Sequence, residues 1–164
     1  MTTSDPVNSD APRVGLGWDR HRLEAGRPCM LGGLRFECDR GPAGHSDGDA
    51  LLHALCDALL GAAGLDDLGT MFPDTDPLWR DAPSRVFVEA ATAALQTRGL
   101  RVLSADLVVV CDAPRLSPRR AELRDALAIL LDLPADRVNV KGKTTEGRDP
   151  DWLEAQAVVL VGPA

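Results

Sequence analysis

His21, His45 and His53 are the only imidazoles in this chain, and each stands close to acids. Asp19 and His21 lie two apart, just after an apolar run. In an extended segment that spacing points both side chains the same way. His53 falls in a stretch with helical spacing, where Asp49, His53 and Asp57 recur at i, i+4 and i+8 and share one face. One carboxylate and two imidazoles suit zinc, with a fourth position left for a substrate. Asp57 is placed to orient an imidazole from behind. Taken singly, a D-x-H pair is commonly a surface accident, and one helical histidine commonly a packing residue. Their coincidence in a histidine-poor chain brings the metal reading level with the plain one.

A second cluster lies near the C-terminus. The only two lysines, Lys141 and Lys143, stand with Thr144, Thr145 and Glu146 where a strand runs out. A cation, hydroxyls and one acid suit phosphate oxygens and a second metal. A hydrophilic turn has the same composition. No Ser/His/Asp or Cys/His pattern suggests a protein nucleophile.

These residues need elements to hold them. Strands are predicted at Arg13–Trp18, at Cys29–Leu31 and Leu34–Phe36 around a Gly32–Gly33 turn, at Val102–Cys111, at Arg137–Lys141 and at Glu154–Val161. A helix carries Leu52, Leu55, Cys56, Leu59 and Leu60 and ends at Gly61 and Gly64. Two more helices cover Ser84–Arg98 and Ser117–Leu131. Leu65 to Pro83 reads as one long connection, a length that is commonly functional. The order implies an α+β fold, a single mixed β-sheet with helices on one face. The bare face should pack against copies of the same chain.

The 164 residues suit one domain, residues 13–164, after a loose polar tail at residues 1–12. With three Trp, three Phe and no Tyr, the core must be built from Leu, Val and Ala. A net charge of −7 argues against coating nucleic acid. No apolar run approaches the roughly 20 residues that span a bilayer. Cys29, Cys38, Cys56 and Cys111 follow no metal or disulfide spacing and read as reduced thiols, which suggests a cytoplasmic protein.

Together the motifs resemble the cyclodiphosphate synthases of the non-mevalonate isoprenoid pathway. The resemblance runs from Arg13 to Val161. It rests on G-L-G-W-D-R-H from Gly15 to His21, H-S-D-G-D from His45 to Asp49 with the following L-H-A-L-C-D, F-P-D-T-D-P from Phe72 to Pro77, and K-T-T-E from Lys143 to Glu146. It implies zinc on Asp19, His21 and His53, and magnesium or manganese on Glu146. His45 and Thr144 would act on the reacting phosphates, with Ser46 beside them. Asp67, Leu68, Gly69, Phe72, Pro73, Asp74, Thr75 and Asp76 would wall the methylerythritol and ribose. Cys111, Asp112, Ala113, Pro114, Arg115, Leu116 and Ser117 would cradle cytosine, and Arg20, Lys143 and Thr145 would add contacts.

The implied reaction closes 4-diphosphocytidyl-2-C-methyl-D-erythritol 2-phosphate into a cyclic diphosphate and releases CMP, a phosphorus–oxygen lyase reaction. The implied assembly is a homotrimer with active sites between subunits. A zinc phosphohydrolase and a non-catalytic trimeric binding protein are the alternatives. The loop after Glu146 is shorter than in many family members. Its Arg148 is expected to be offset by the neighbouring Asp149 and Asp151.

Overall fold

The structure, a computed structural model, describes residues 11–80 and 82–164. Nearly all of the expected N-terminal tail lies outside the described residues. Among the described residues, seven strands and four α-helices follow in the order β1 (Arg13–Ala25), β2 (Cys29–Leu31), β3 (Leu34–Phe36), β4 (Arg40–Pro42), α1 (Ala50–Ala63), α2 (Leu68–Met71), α3 (Arg85–Thr97), β5 (Leu100–Val110), α4 (Arg120–Leu130), β6 (Val138–Lys143) and β7 (Trp152–Pro163). Five strands make one mixed sheet in the order β4-β1-β7-β5-β6, in which only β5 and β6 run parallel. The expected α+β fold is therefore present, with one amendment. β2 and β3 pair with each other alone and form a separate two-stranded sheet. Gly32 and Gly33 turn that hairpin with φ of 60° and 78°, the left-handed conformation a two-residue turn needs.

β1 is twice as long as its apolar run suggests. It continues through the polar residues Asp19 to Arg22, which pair with β7, and then Leu23 to Ala25 pair with β4. Asp19 and His21 thus lie inside the strand, not after it. Along β1 the side chains alternate. Gly15, Gly17, Asp19, His21 and Leu23 face α1, while Val14, Leu16 and Trp18 face outward.

The two glycines decide how near α1 can come. A Cβ on Gly15 would sit 1.8 Å from the Ala58 carbonyl oxygen, and one on Gly17 would sit 1.8 Å from that of Ala54. Only a strand without side chains there lets the helix close down. α1 is buried on nearly every side, as its run ALLHALCDALLGAA requires, between the sheet and α3. Its N-cap is Asp49, and Gly64, in the left-handed conformation, ends it. Gly61 lies inside the helix, so only one of the two expected stop signals operates.

Asp49 also clamps the hairpin. Its carboxylate accepts the backbone N–H groups of Gly32 at 2.9 Å, Gly33 at 2.7 Å and Leu52 at 3.1 Å. Burial pushes its pKa upward, and the three donors pull against that.

The core is made of Leu, Val and Ala, as the composition demands: Leu51, Leu55, Leu59, Leu107, Leu127, Leu153 and Val159 are fully buried. Cys29, Cys56 and Cys111 are buried free thiols pushed up to about 12 by desolvation, which makes them inert. The Leu65–Pro83 connection is better ordered than its composition suggests. α2 and a single turn of 3₁₀ helix at Pro77–Trp79 lie within it. None of the described helices is long and apolar enough to cross a membrane.

Candidate functional site

Where α1 passes over β1, three side chains able to hold a metal ion meet. Asp19 Oδ2 lies 2.8 Å from His21 Nε2 and 2.9 Å from His53 Nδ1, and the two ring nitrogens are 3.1 Å apart. Among the described residues, this is the one such cluster of three or more. The strand supplies two members through its period of two, and the helix supplies the third one turn from its start. Gly15 and Gly17, on the same strand face, set the distance between them. The fit to zinc is good: a tetrahedron of 2.0 Å bonds has edges of about 3.3 Å. Burial works to raise the Asp19 pKa, but the hydrogen bonds and charges of His21 and His53 outweigh it and hold the carboxyl well below the usual range.

The other predicted residues of this half surround the trio. The backbone at Gly44 passes beside the His21 ring, since a Cβ there would lie 3.5 Å from Cε1. His45, the next residue, is exposed at that border. Ser46 is buried instead, its Oγ 3.1 Å from His53 Nε2. Asp57 does not orient an imidazole, contrary to expectation. Its carboxylate accepts the Leu68 N–H at 2.7 Å and so anchors the start of α2. Asp67 caps that helix through the Thr70 N–H. Phe72 then packs on Phe87, with ring centroids 4.8 Å apart, and Phe87 lies 6.1 Å from His53. The wall from Asp67 to Phe72 is thereby tied to the helix that carries His53, and Gly69, Pro73, Asp74, Thr75 and Asp76 lie exposed along it.

Lys143 and Thr144 of the second cluster line a cleft of about 200 Å³, while Lys141 pairs with Asp106 at 2.6 Å instead. Cys111, Asp112, Pro114, Arg115, Leu116 and Ser117 line one side, and Gly142, Lys143 and Thr144 the other. Ala113 precedes Pro114 through a cis peptide bond. The Asp112 carboxylate accepts both the Thr145 N–H at 2.8 Å and its hydroxyl at 2.6 Å, which joins the two sides. Thr144 donates to Glu146 Oε1 at 2.6 Å, and Glu146 has a φ of 54°, an uncommon conformation for a side-chain-bearing residue. The exposed Glu146 carboxylate suits a cation that keeps most of its waters and phosphate ligands, as magnesium does. Arg120, at the start of α4, also lines the cleft. It was hidden in the sequence among three arginines in one short stretch.

The two halves lie apart on the chain. Asp19 pairs with Ala155, Ala155 with Val109 and Val109 with Gly142, so β7 and β5 stand between the metal ligands and the cleft. Three strand spacings make about 14 Å. Arg20 lies toward the second half, where it lines a pocket with Thr145, Arg148, Asp149 and Trp152. It donates to Asp149 at 2.5 Å and lies over the Trp152 ring at 4.5 Å. Asp151 pairs with Arg40 at 2.6 Å. The two acids expected to offset Arg148 therefore bind arginines of β1 and β4.

Asp47 and Ser84, to which sequence reasoning assigned no role, complete the metal end. Ser84 Oγ lies 2.9 Å from His53 Nε2, and the Ser84 hydroxyl and N–H both donate to Asp47. A serine before a helix suggests an N-cap, but this one makes no capping bond.

The sequence profile of the YgbB family matches residues 12–162. A Thermus thermophilus protein named 2-C-methyl-D-erythritol 2,4-cyclodiphosphate synthase is 52% identical over 149 residues, 91% of this chain and 98% of that one. The Aquifex aeolicus protein of that name is 45% identical over 135 residues, 82% of this chain and 86% of its own. Among solved structures, one of a 2C-methyl-D-erythritol-2,4-cyclodiphosphate synthase superposes with a TM-score of 0.88 at 51% identity, covering 91% of this chain and 99% of the other. A form of that enzyme described as bound to CDP gives 0.87 at 50%, with the same coverage. With a profile match over nearly the whole length and relatives this similar, the chain belongs to the YgbB family.

Proposed function

We propose that this chain converts 4-diphosphocytidyl-2-C-methyl-D-erythritol 2-phosphate to 2-C-methyl-D-erythritol 2,4-cyclodiphosphate and CMP. The observation that carries the reading is the Asp19, His21 and His53 cluster, in a chain 52% identical to a synthase of that name. An oxygen of the substrate's 2-phosphate forms a bond to the β-phosphorus, and the bond from that phosphorus to the CMP oxygen breaks. The nucleophile is already an anion, so no protein nucleophile is required. What remains is to hold two anionic phosphates together and to stabilise charge on the leaving oxygen.

Asp19, His21 and His53 would hold zinc, and Glu146 magnesium or manganese. Bound there, these cations supply positive charge to phosphate oxygens. His45, at the border of the trio, donates to the reacting phosphate; the Thr144 hydroxyl, given to Glu146 in the free chain, would join it once a cation neutralises that carboxylate. The Ser46 side chain is turned inward, so its contribution to phosphate is limited to its backbone. The cleft from Cys111 to Ser117 takes cytosine. Lys143 and Thr145 flank the diphosphate, and the Asp67–Asp76 wall closes over the sugar.

The chain assembles as a homotrimer, which brings the metal end of one subunit to the cleft of the next. The outward stripe of β1 supports this, since Val14, Leu16 and Trp18 are 65%, 67% and 54% exposed and face water in a single chain.

Incubation with the nucleotide substrate, zinc and magnesium tests the proposal. CMP and the cyclic diphosphate should appear in equal amounts. Release of orthophosphate without cyclic product would instead identify a phosphohydrolase.

A further inference from the structure

The buried polar groups behind His53 have no part in the chemistry just described, yet every one of them is bonded to another. Ser84 is fully buried and Ser46 nearly so. The Ser84 hydroxyl donates to Asp47 Oδ1, and the Ser84 N–H donates to Asp47 Oδ2 at 3.1 Å. A carboxylate only accepts, so the single hydroxyl proton of Ser84 is committed to Asp47. Ser84 Oγ can then meet His53 Nε2, 2.9 Å away, only as an acceptor. Ser46 Oγ, 3.1 Å from the same nitrogen, accepts the Gly48 N–H at 3.3 Å and keeps a proton of its own, which can turn to Ser84 Oγ 3.5 Å away. A bare Nε2 would face the Ser84 lone pairs at 2.9 Å, so the hydrogen belongs on that nitrogen.

With Nε2 protonated, the neutral ring presents a bare lone pair at Nδ1. That lone pair faces Asp19 Oδ2 at 2.9 Å and His21 Nε2 at 3.1 Å. Without the serine, the ring would be free to place its proton on Nδ1 and satisfy Asp19 by itself. The serine removes that option for the neutral ring and leaves the Nδ1 lone pair beside the Asp19 carboxylate, an arrangement that a cation relieves.

We infer that Asp47 and Ser84 are a positioning pair: they fix His53 as an Nε2–H tautomer and so hold Nδ1 open as a metal donor. The inference rests on the reading of Asp19, His21 and His53 as a metal site. It extends that reading to two side chains 37 residues apart. The pair also fastens the start of α3 to the loop before α1, so the far end of the 65–83 connection is held by the same contacts that orient the ligand.

The test uses the full-length protein with ¹⁵N-labelled imidazoles, and the chain has only three histidines to assign. A long-range ¹H–¹⁵N spectrum should show an exchange-protected proton on His53 Nε2, with and without zinc. Ser84→Ala should lose that protection, and its zinc affinity, measured by competition with a chromophoric chelator, should fall by roughly 10- to 100-fold. Ser84→Thr, which keeps the hydroxyl, should restore most of both. An unprotonated Nε2 in the wild-type protein would overturn the inference even if no Ser84 variant folds. So would Ser84→Ala with protection and zinc affinity unchanged, although the metal site itself would then stand. A wild-type protein that takes up no zinc would refute the metal reading, and the tautomer would still be decided by the spectrum.

Discussion

Each nitrogen of His53 has its own surroundings, Asp19 and His21 on one side and two serines on the other. The residue also sits on a helix buried by its leucines and alanines, independently of any metal. His53→Ala should therefore lose most bound zinc and most turnover while keeping its circular dichroism, as metal analysis and far-UV spectra would show. The metal trio was legible in the sequence because each relation was local: two apart on a strand, one turn into a helix. Ser84 was not, because its partners lie 31 and 37 residues away and only the fold joins them. Asp57 misled for the opposite reason, since a shared helix face permits a contact with His53 that the Leu68 N–H takes up instead. At the cleft, the hydroxyl and then the backbone N–H of Thr145 hold the Asp112 carboxyl below its ordinary range. Such a carboxylate binds its proton less readily folded than unfolded. Its contribution is complete above the unfolded value and is lost as pH falls through the folded one. The gap in melting temperature between wild type and Asp112→Ala should therefore be full at neutral pH and narrow below about pH 4.

At the level of elements, the closeness of α1 to β1 matters most. Any side chain at Gly17 meets the helix backbone, which has nowhere to move without parting His53 from Asp19. Gly17→Ala should lower the urea midpoint by an amount equivalent to about 3 kcal/mol and weaken zinc as well. A loss of stability with unchanged metal affinity would show that the glycines serve packing alone. The same pairing explains what the sequence did and did not disclose about strands. The apolar alternation announced β1 only as far as Trp18, since beyond it the inward positions are the polar Asp19 and His21. β4 was invisible as three residues containing Gly and Pro, and exists because β1 extends far enough to pair with it. The hairpin and α1 were plain because their turn, cap and stop residues stand next to the runs they bound.

At the scale of the whole molecule, one face of the sheet is covered by helices and the other is bare among the described residues. Val14, Leu16, Trp18 and Val158 stand out from the bare face. Light scattering should give about 52 kDa, three times the 17.5 kDa chain. Leu16→Asp, which puts a charge in the middle of that stripe, should shift the protein toward monomer and reduce activity in step. The separation of the metal trio from the cleft, by two intervening strands, also has a genetic meaning. If each working centre draws its two ends from different subunits, two broken copies can mend one another. A His53→Ala chain keeps a sound cleft, and a Thr144→Ala chain keeps a sound metal end. Unfolded together in equal amounts and refolded, these two inactive proteins should yield about one quarter of wild-type turnover, since one boundary in four pairs the two intact ends in a randomly mixed ring of three. Alleles of the two kinds should likewise complement when carried in one cell, and two alleles damaged at the same end should not.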